Sequence, residues 1–178
     1  MEMKQSTDLK RIASSIWGKH KNIILAVICA LVTAWIFLFL FPARFETNDD
    51  TGMAQIAYGA RGFYSSHLIF INVLVGRILR ACLETFPTVP WYTVFQVALV
   101  CISFVIIFYL LFEKFGSKAI FPIVILSAYF GYEFLSRIQF SKTAGIAVIA
   151  GFLLLFDAIE NRRHILAYLC GGGVHNSW

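Results

Sequence analysis

The chain has 178 residues, of which 59% are hydrophobic and 14% charged, with a mean hydropathy of +0.75. A soluble domain of this length exposes too much surface for so few charges, and disorder needs the opposite composition. An integral membrane protein remains. The net charge of +5 does not point to nucleic acid, because the basic residues stand at the ends of apolar runs, where they fix helix orientation. Cys29, Cys82, Cys101 and Cys170 are scattered through apolar stretches without C-x-x-C spacing. That pattern argues against a disulfide framework or a zinc site.

In chain order, residues 1–21 come first and predict a basic amphipathic helix on the cytoplasmic membrane surface. Leu9, Ile12, Ala13, Ile16 and Trp17 share one face, and Lys10, Arg11, Ser14, Ser15 and Lys19 take the other. Residues 23–42 then run without a charge for about 20 residues, which at ~1.5 Å per residue cross a ~30 Å hydrocarbon core. The run reads as an uncleaved signal anchor. Lys4, Lys10, Arg11, Lys19 and Lys21 precede it, so the positive-inside rule predicts a cytoplasmic N-terminus in a plasma (inner) membrane.

Residues 43–66 form the longest polar stretch, an expected external loop. Asp50 is positioned to cap a short juxtamembrane helix over 51–60, with Met53, Ile56, Ala57 and Ala60 facing the membrane. Residues 67–86 are ambiguous. The first half is apolar, whereas Arg77, Arg80 and Glu84 interrupt the second. A spanning helix is favoured over an interfacial one, with Arg80 and Glu84 as i,i+4 partners. If this segment did not span, every later loop would change sides. Further spans are expected at 91–112, with Trp91 and Tyr92 as interfacial anchors, at 119–136, and at 143–159. In the last, Gly145, Ala147, Ala150 and Gly151 offer a face for close helix packing. The expected fold is therefore all-α: a polytopic transmembrane bundle over 22–178 of about five spans, with an N-terminal interfacial helix and a short juxtamembrane helix.

The chemistry is sought where charge survives. Asp49 and Asp50 are adjacent in the external loop. One carboxylate can accept a proton from an attacking hydroxyl, or the pair can hold a divalent cation such as Mg or Mn. An Asp capping a helix in a solvated loop is the competing explanation. Arg44 and Arg61 flank the pair and can contact a lipid phosphate or serve as interfacial anchors. His67 lies at the same surface. Glu133, with Arg137 at i+4, stands inside an apolar span, either as a transport residue or as an ion pair near the end of the helix.

The order of basic end, spanning helix, acidic external loop and closely spaced later spans resembles the start of GT-C-type polytopic glycosyltransferases. The stretch Ser65-Ser66-His67-Leu68-Ile69-Phe70-Ile71-Asn72 resembles their second-helix start, and the resemblance covers roughly residues 20–160. It implies transfer of a sugar from a polyprenyl-phosphate donor to a cell-envelope acceptor. Asp49 and Asp50, and less directly Glu46, would stand at the active site. Such enzymes commonly carry more spans, so the resemblance also implies the N-terminal part of a longer protein. The other readings are a transporter or lipid-linked-sugar flippase component, motivated by Glu133 and Arg137, and a non-enzymatic small membrane protein. Membrane lipids are expected partners in every case.

Overall fold

The computed structural model describes residues 2–46, 48–60 and 62–160, with side chains from residue 20 onward. It is helical almost throughout. Helix α1 (Glu2–Leu40) runs unbroken, so the boundary expected near residue 21 is not a break in the path of the chain. A two-residue strand, β1 (Arg44–Phe45), leads to the short helix α2 (Asn48–Ala57). Helix α3 (Val73–Thr85) follows, then the long helix α4 (Trp91–Phe115). A 3-10 turn (Gly116–Ala119) leads into α5 (Ile120–Gly131), which continues as a π-helical turn (Tyr132–Ser136). Strand β2 (Arg137–Ile138) pairs in parallel with β1, and α6 (Phe140–Glu160) ends the described part.

Three helical stretches are long and apolar enough to cross a membrane: His20–Leu40, Trp91–Ser136 and Phe140–Glu160. The middle one covers 46 residues and folds back on itself. The reversal is at Gly116, whose φ of 55° lies in the region that glycine reaches without a Cβ penalty. Side-chain pairings fix the directions. Asn22 near the start of the α1 span bonds Glu113 at the end of α4. Farther along α1, Thr33 meets Ser127 of α5, and Phe37 O accepts from Ser136 Oγ. Thus α1 and α5 run one way and α4 the other. Thr143 of α6 bonds Gln96 of α4, while their far ends share a cleft lined by Glu113 and Asp157. Helix α6 therefore runs parallel to α4.

Packing follows size. Ala26, Ala30 and Ala34 recur every fourth residue on α1 and are buried against Val100, Phe104 and Phe108 of α4. Small residues on one face let the backbones approach, which is how helices associate without a hydrophobic driving force from lipid. Of the face expected to pack on α6, Ala150 is buried, whereas a side chain at Gly145 or Gly151 would meet nothing within 4 Å. Helix α6 packs through Thr143, Ile146 and Ala150. At Gly131 a Cβ would sit 2.2 Å from the Phe37 ring, so with any larger residue there the ring would have to shift for α5 to seat on α1.

The segment 67–86 corrects the expected topology. Its helix is 13 residues, about 20 Å long, too short for a ~30 Å core. Both flanks lie at one end of the bundle. Phe70 stacks on Phe140 at the start of α6, with ring centroids 5.3 Å apart, and Trp91 Nε1 at the start of α4 bonds Phe86 O. Asn72 caps the helix by accepting from Leu74 N. The physical reason lies in the sequence: Arg77, Arg80 and Glu84 would otherwise cross hydrocarbon. The later turns accordingly change ends. The turn at Lys114 and Lys118 is near Asn22, at the start of the apolar stretch of α1, and Arg137 and Lys142 are beside the 43–66 loop.

The short helix α2 is also reoriented. Met53 and Ala57, expected to face the membrane, are buried against Leu79, Leu83 and Tyr92. Asp50 lies within the first turn of α2 and not at its cap.

Two predictions follow from this arrangement. Single cysteines introduced at Phe63 and at Thr88 are labelled by an impermeant maleimide from the same side of sealed vesicles, and one at Ser117 from the opposite side. A crossing at 67–86 would separate the first two. Gly76 faces the carbonyl oxygen of Ser66, 2.0 Å from where a Cβ would be. Gly76→Ala forces backbone to move and is expected to destabilise by about 1–3 kcal/mol, read as lost thermal stability in detergent. Gly145→Ala, which meets open space, is the neutral control.

Candidate functional site

A buried polar centre and a ring of ion pairs lie where α2, α3 and the starts of α4 and α6 meet. The local sequence builds this end in two layers.

The inner layer is centred on Asp50, which is fully buried. Its Oδ1 accepts from Tyr92 Oη at 3.0 Å, from Gln96 Nε2 at 3.2 Å and from the backbone N–H of Phe140 at 3.0 Å. Gln96 Oε1 in turn accepts from Thr143 Oγ1 at 3.0 Å. One carboxylate thus joins α2 to α4 and α6. The Phe140 donor belongs to the first turn of α6, whose leading N–H groups have no partner within the helix. An anionic acceptor there also opposes the positive end of the helix dipole.

The outer layer is a closed ring of alternating charge. Glu46 Oε1 is 2.5 Å from Arg137 Nη2, and Glu46 Oε2 pairs with Lys142 Nζ. Glu133 Oε1 is 3.1 Å from Arg137 Nη1, and its Oε2 is 2.6 Å from Lys142 Nζ. Each acid therefore contacts both bases. Backbone geometry sets this up. The β1–β2 pairing aligns Arg44 with Arg137, and Glu46 N bonds Ile138 O at 3.0 Å, which carries Glu46 to the Arg137 side chain. The π turn over Tyr132–Ser136 brings Glu133 to the same place. The carboxylate of Glu133, and then that of Glu46, hold the Arg137 guanidinium above its ordinary range. The i,i+4 pair expected for Glu133 and Arg137 is present, as is that of Arg80 with Glu84 at 2.7 Å. The feature that motivated a transport role, a carboxylate within an apolar span, has two cationic neighbours at the bundle end.

The residues singled out from sequence take different positions. Asp49 is exposed on the first turn of α2, whereas its neighbour Asp50 is in the core. Successive helical residues diverge by about 100°, so the two carboxylates do not face a common point. Arg44 is exposed and its Nη2 donates to Tyr132 Oη at 3.3 Å. His67 is exposed ahead of α3, with its backbone N–H donating to Ser65 Oγ. Arg61 lies outside the described residues. Among the described residues no hydrogen bond or ion pair joins Asp49, Arg44 and His67, and no group of three metal-binding side chains is found. A cleft of about 510 Å³ opens beside α3, lined by Tyr58, Gly59, Gly62, Phe63, Tyr64, Arg80 and Glu84. Burial pushes the Tyr58 phenol up, so it stays protonated through the physiological range.

Sequence reasoning missed the ring partner Lys142 and the core partners Tyr92, Gln96 and Thr143. The signal available was polarity in the wrong place. Gln96 and Thr143 interrupt apolar spans, and Tyr92, expected as an interfacial anchor, is fully buried. No family model matches the chain, and neither does any curated protein or solved structure.

Asp50→Ala leaves the buried donors of Tyr92, Gln96 and Phe140 without their acceptor. With hydrogen bonds to charged groups contributing about 1.5–3 kcal/mol each, the variant is expected to lose roughly 3 kcal/mol or more of stability in detergent. Asp49→Ala, at an exposed position, is expected to unfold as the unaltered protein does.

Proposed function

We propose that this integral membrane protein presents a reactive carboxylate, Asp49, at the water–membrane boundary for glycosyl transfer from a polyprenyl-phosphate sugar to a cell-envelope acceptor. The observation that carries the reading is the division of labour in the adjacent acids. Buried Asp50 pins α2 to the end of the bundle, and Asp49 stands exposed on that pinned helix. A general base needs a fixed position within reach of its proton, and a helix fastened to the spans provides one.

In the proposed step the acceptor hydroxyl oxygen attacks the anomeric carbon of the donor. The bond from that carbon to the phosphate oxygen breaks, and polyprenyl phosphate leaves with the electron pair. Asp49 takes the hydroxyl proton. In the alternative role Asp49 would, instead of taking the proton, hold a divalent cation such as Mg or Mn together with the phosphate of the substrate, since Mg commonly combines one or two carboxylates with substrate oxygens. Exposed Arg44, on β1 ahead of α2, supplies a cation for the departing phosphate. Arg61 and His67 are on the same loop.

Orientation supports this siting. Because 67–86 does not cross, Lys114 and Lys118 join the N-terminal cluster of Lys4, Lys10, Arg11, Lys19 and Lys21 at one end. That asymmetry favours a cytoplasmic N-terminus in the plasma (inner) membrane and a site on the outer face.

The test is sugar transfer in membranes containing the protein, with radiolabelled polyprenyl-phosphate sugar as donor. Asp49→Asn is expected to lower the rate at least ~100-fold at unchanged protein level, the typical contribution of a positioned base. Undiminished transfer by Asp49→Asn would remove the assignment.

A further inference from the structure

The helix α3 divides into three sectors around its axis. Gly76, Leu79 and Leu83 are buried against the bundle. Arg77, Arg80 and Glu84 form a second, polar stripe, and Arg80 and Glu84 line the open cleft beside Tyr58 and Tyr64. Leu74, Ile78 and Ala81 form a third, which faces away from both. Leu74 and Ile78 are 62% and 59% exposed, and the approach to the helix adds Ile69 at 68%. A helix in water at a protein surface carries one apolar face, toward the core. Here a second apolar face has no protein against it among the described residues.

We propose that α3 lies in the membrane–water interface, with the Leu74–Ile78–Ala81 stripe in the acyl region of the leaflet and the Arg77–Arg80 stripe at the headgroups. The occupant of the stripe is lipid for three reasons. The flanks of the helix seat it at the starts of α4 and α6, through Phe86 and Phe70, and both of those helices belong to stretches long and apolar enough to cross a membrane. Its flanks at Phe70 and Phe86 are exposed aromatic rings at that same level. Arg77, which makes no ion pair among the described residues, matches the charge of an anionic headgroup beside an apolar stripe. This surface rests on the membrane character of the chain and not on glycosyl transfer.

The consequence is a layered boundary. One side of α3 contacts acyl chains, the polar side borders the cleft, and the buried side holds α2 through Leu79, Leu83 and Met53. A lipid-linked molecule arriving in the leaflet would meet α3 between its tail and the cleft.

Nitroxide labels test this in the full chain reconstituted into liposomes of phosphatidylcholine and phosphatidylglycerol. Cys29, Cys82, Cys101 and Cys170 are first replaced by serine or alanine, and labels are then placed singly through Leu74→Cys, Ile78→Cys and Glu84→Cys. Labels at Leu74 and Ile78 are expected to collide with oxygen in preference to an aqueous nickel chelate, at a depth of about 5–10 Å below the phosphates. The label at Glu84 is expected to show the reverse preference. Two results would overturn the proposal: nickel access at Leu74 and Ile78 equal to that at Glu84, which means water, or shielding from both reagents, which means a second copy or another protein. Ala81→Cys reports the same stripe should either labelled variant fail to fold.

Discussion

A carboxylate without water must find its hydrogen bonds in the protein, and Asp50 finds them on two long helices at once. Tyr92 and Gln96 approach from α4, and the Phe140 N–H from α6. The rest of the loop end depends on that constraint. Because α2 carries Asp50, fixing the carboxylate fixes α2. Because Met53, Ala54 and Ala57 of α2 pack with Leu79 and Leu83, α3 is fixed in turn. The polar centre is small, but each bond crosses between elements that are distant in the chain.

The ring of Glu46, Arg137, Glu133 and Lys142 acts one step farther out. Two acids and two bases alternate, so the cluster carries no net formal charge where the spans emerge. Partly exposed ion pairs contribute little singly, and networks with good geometry contribute more. Here the ring adds direction as well as attraction. It ties the end of α1, through the β1–β2 pairing, to the π turn after α5 and the start of α6. Together with Asp50 it closes the bundle at one end. The opposite end is held by the Gly116 reversal and the Asn22–Glu113 bond.

This arrangement gives the two adjacent aspartates different work. Asp50 is consumed by architecture, and Asp49 is displayed by it. The backbone of Asp49 is held by this packing, although its side chain is open to solvent. Helix α3 beside it borders the open cleft with Arg80 and Glu84 and leaves Leu74 and Ile78 exposed on another side.

Composition and run length alone determined that the chain is helical with segments long and apolar enough to cross a membrane, because a lipid-crossing segment must satisfy its own backbone. Helices over the apolar stretches 91–112, 119–136 and 143–159 were legible for the same reason, and so were the i,i+4 pairs Arg80–Glu84 and Glu133–Arg137, which depend only on helical spacing. The segment 67–86 was not legible, because hydrophobicity in its first half and charge in its second are compatible with either crossing or lying flat. Only its docking at Phe140 and Tyr92 decided between them. Nor could the sequence say which of Asp49 and Asp50 is buried. Neighbours in sequence carry the same chemistry, and their difference arises from what α4 and α6 bring to one side of α2. Glu46 meeting Lys142, 96 positions later in the chain, is likewise a property of the folded bundle, since nothing local in either residue records its partner.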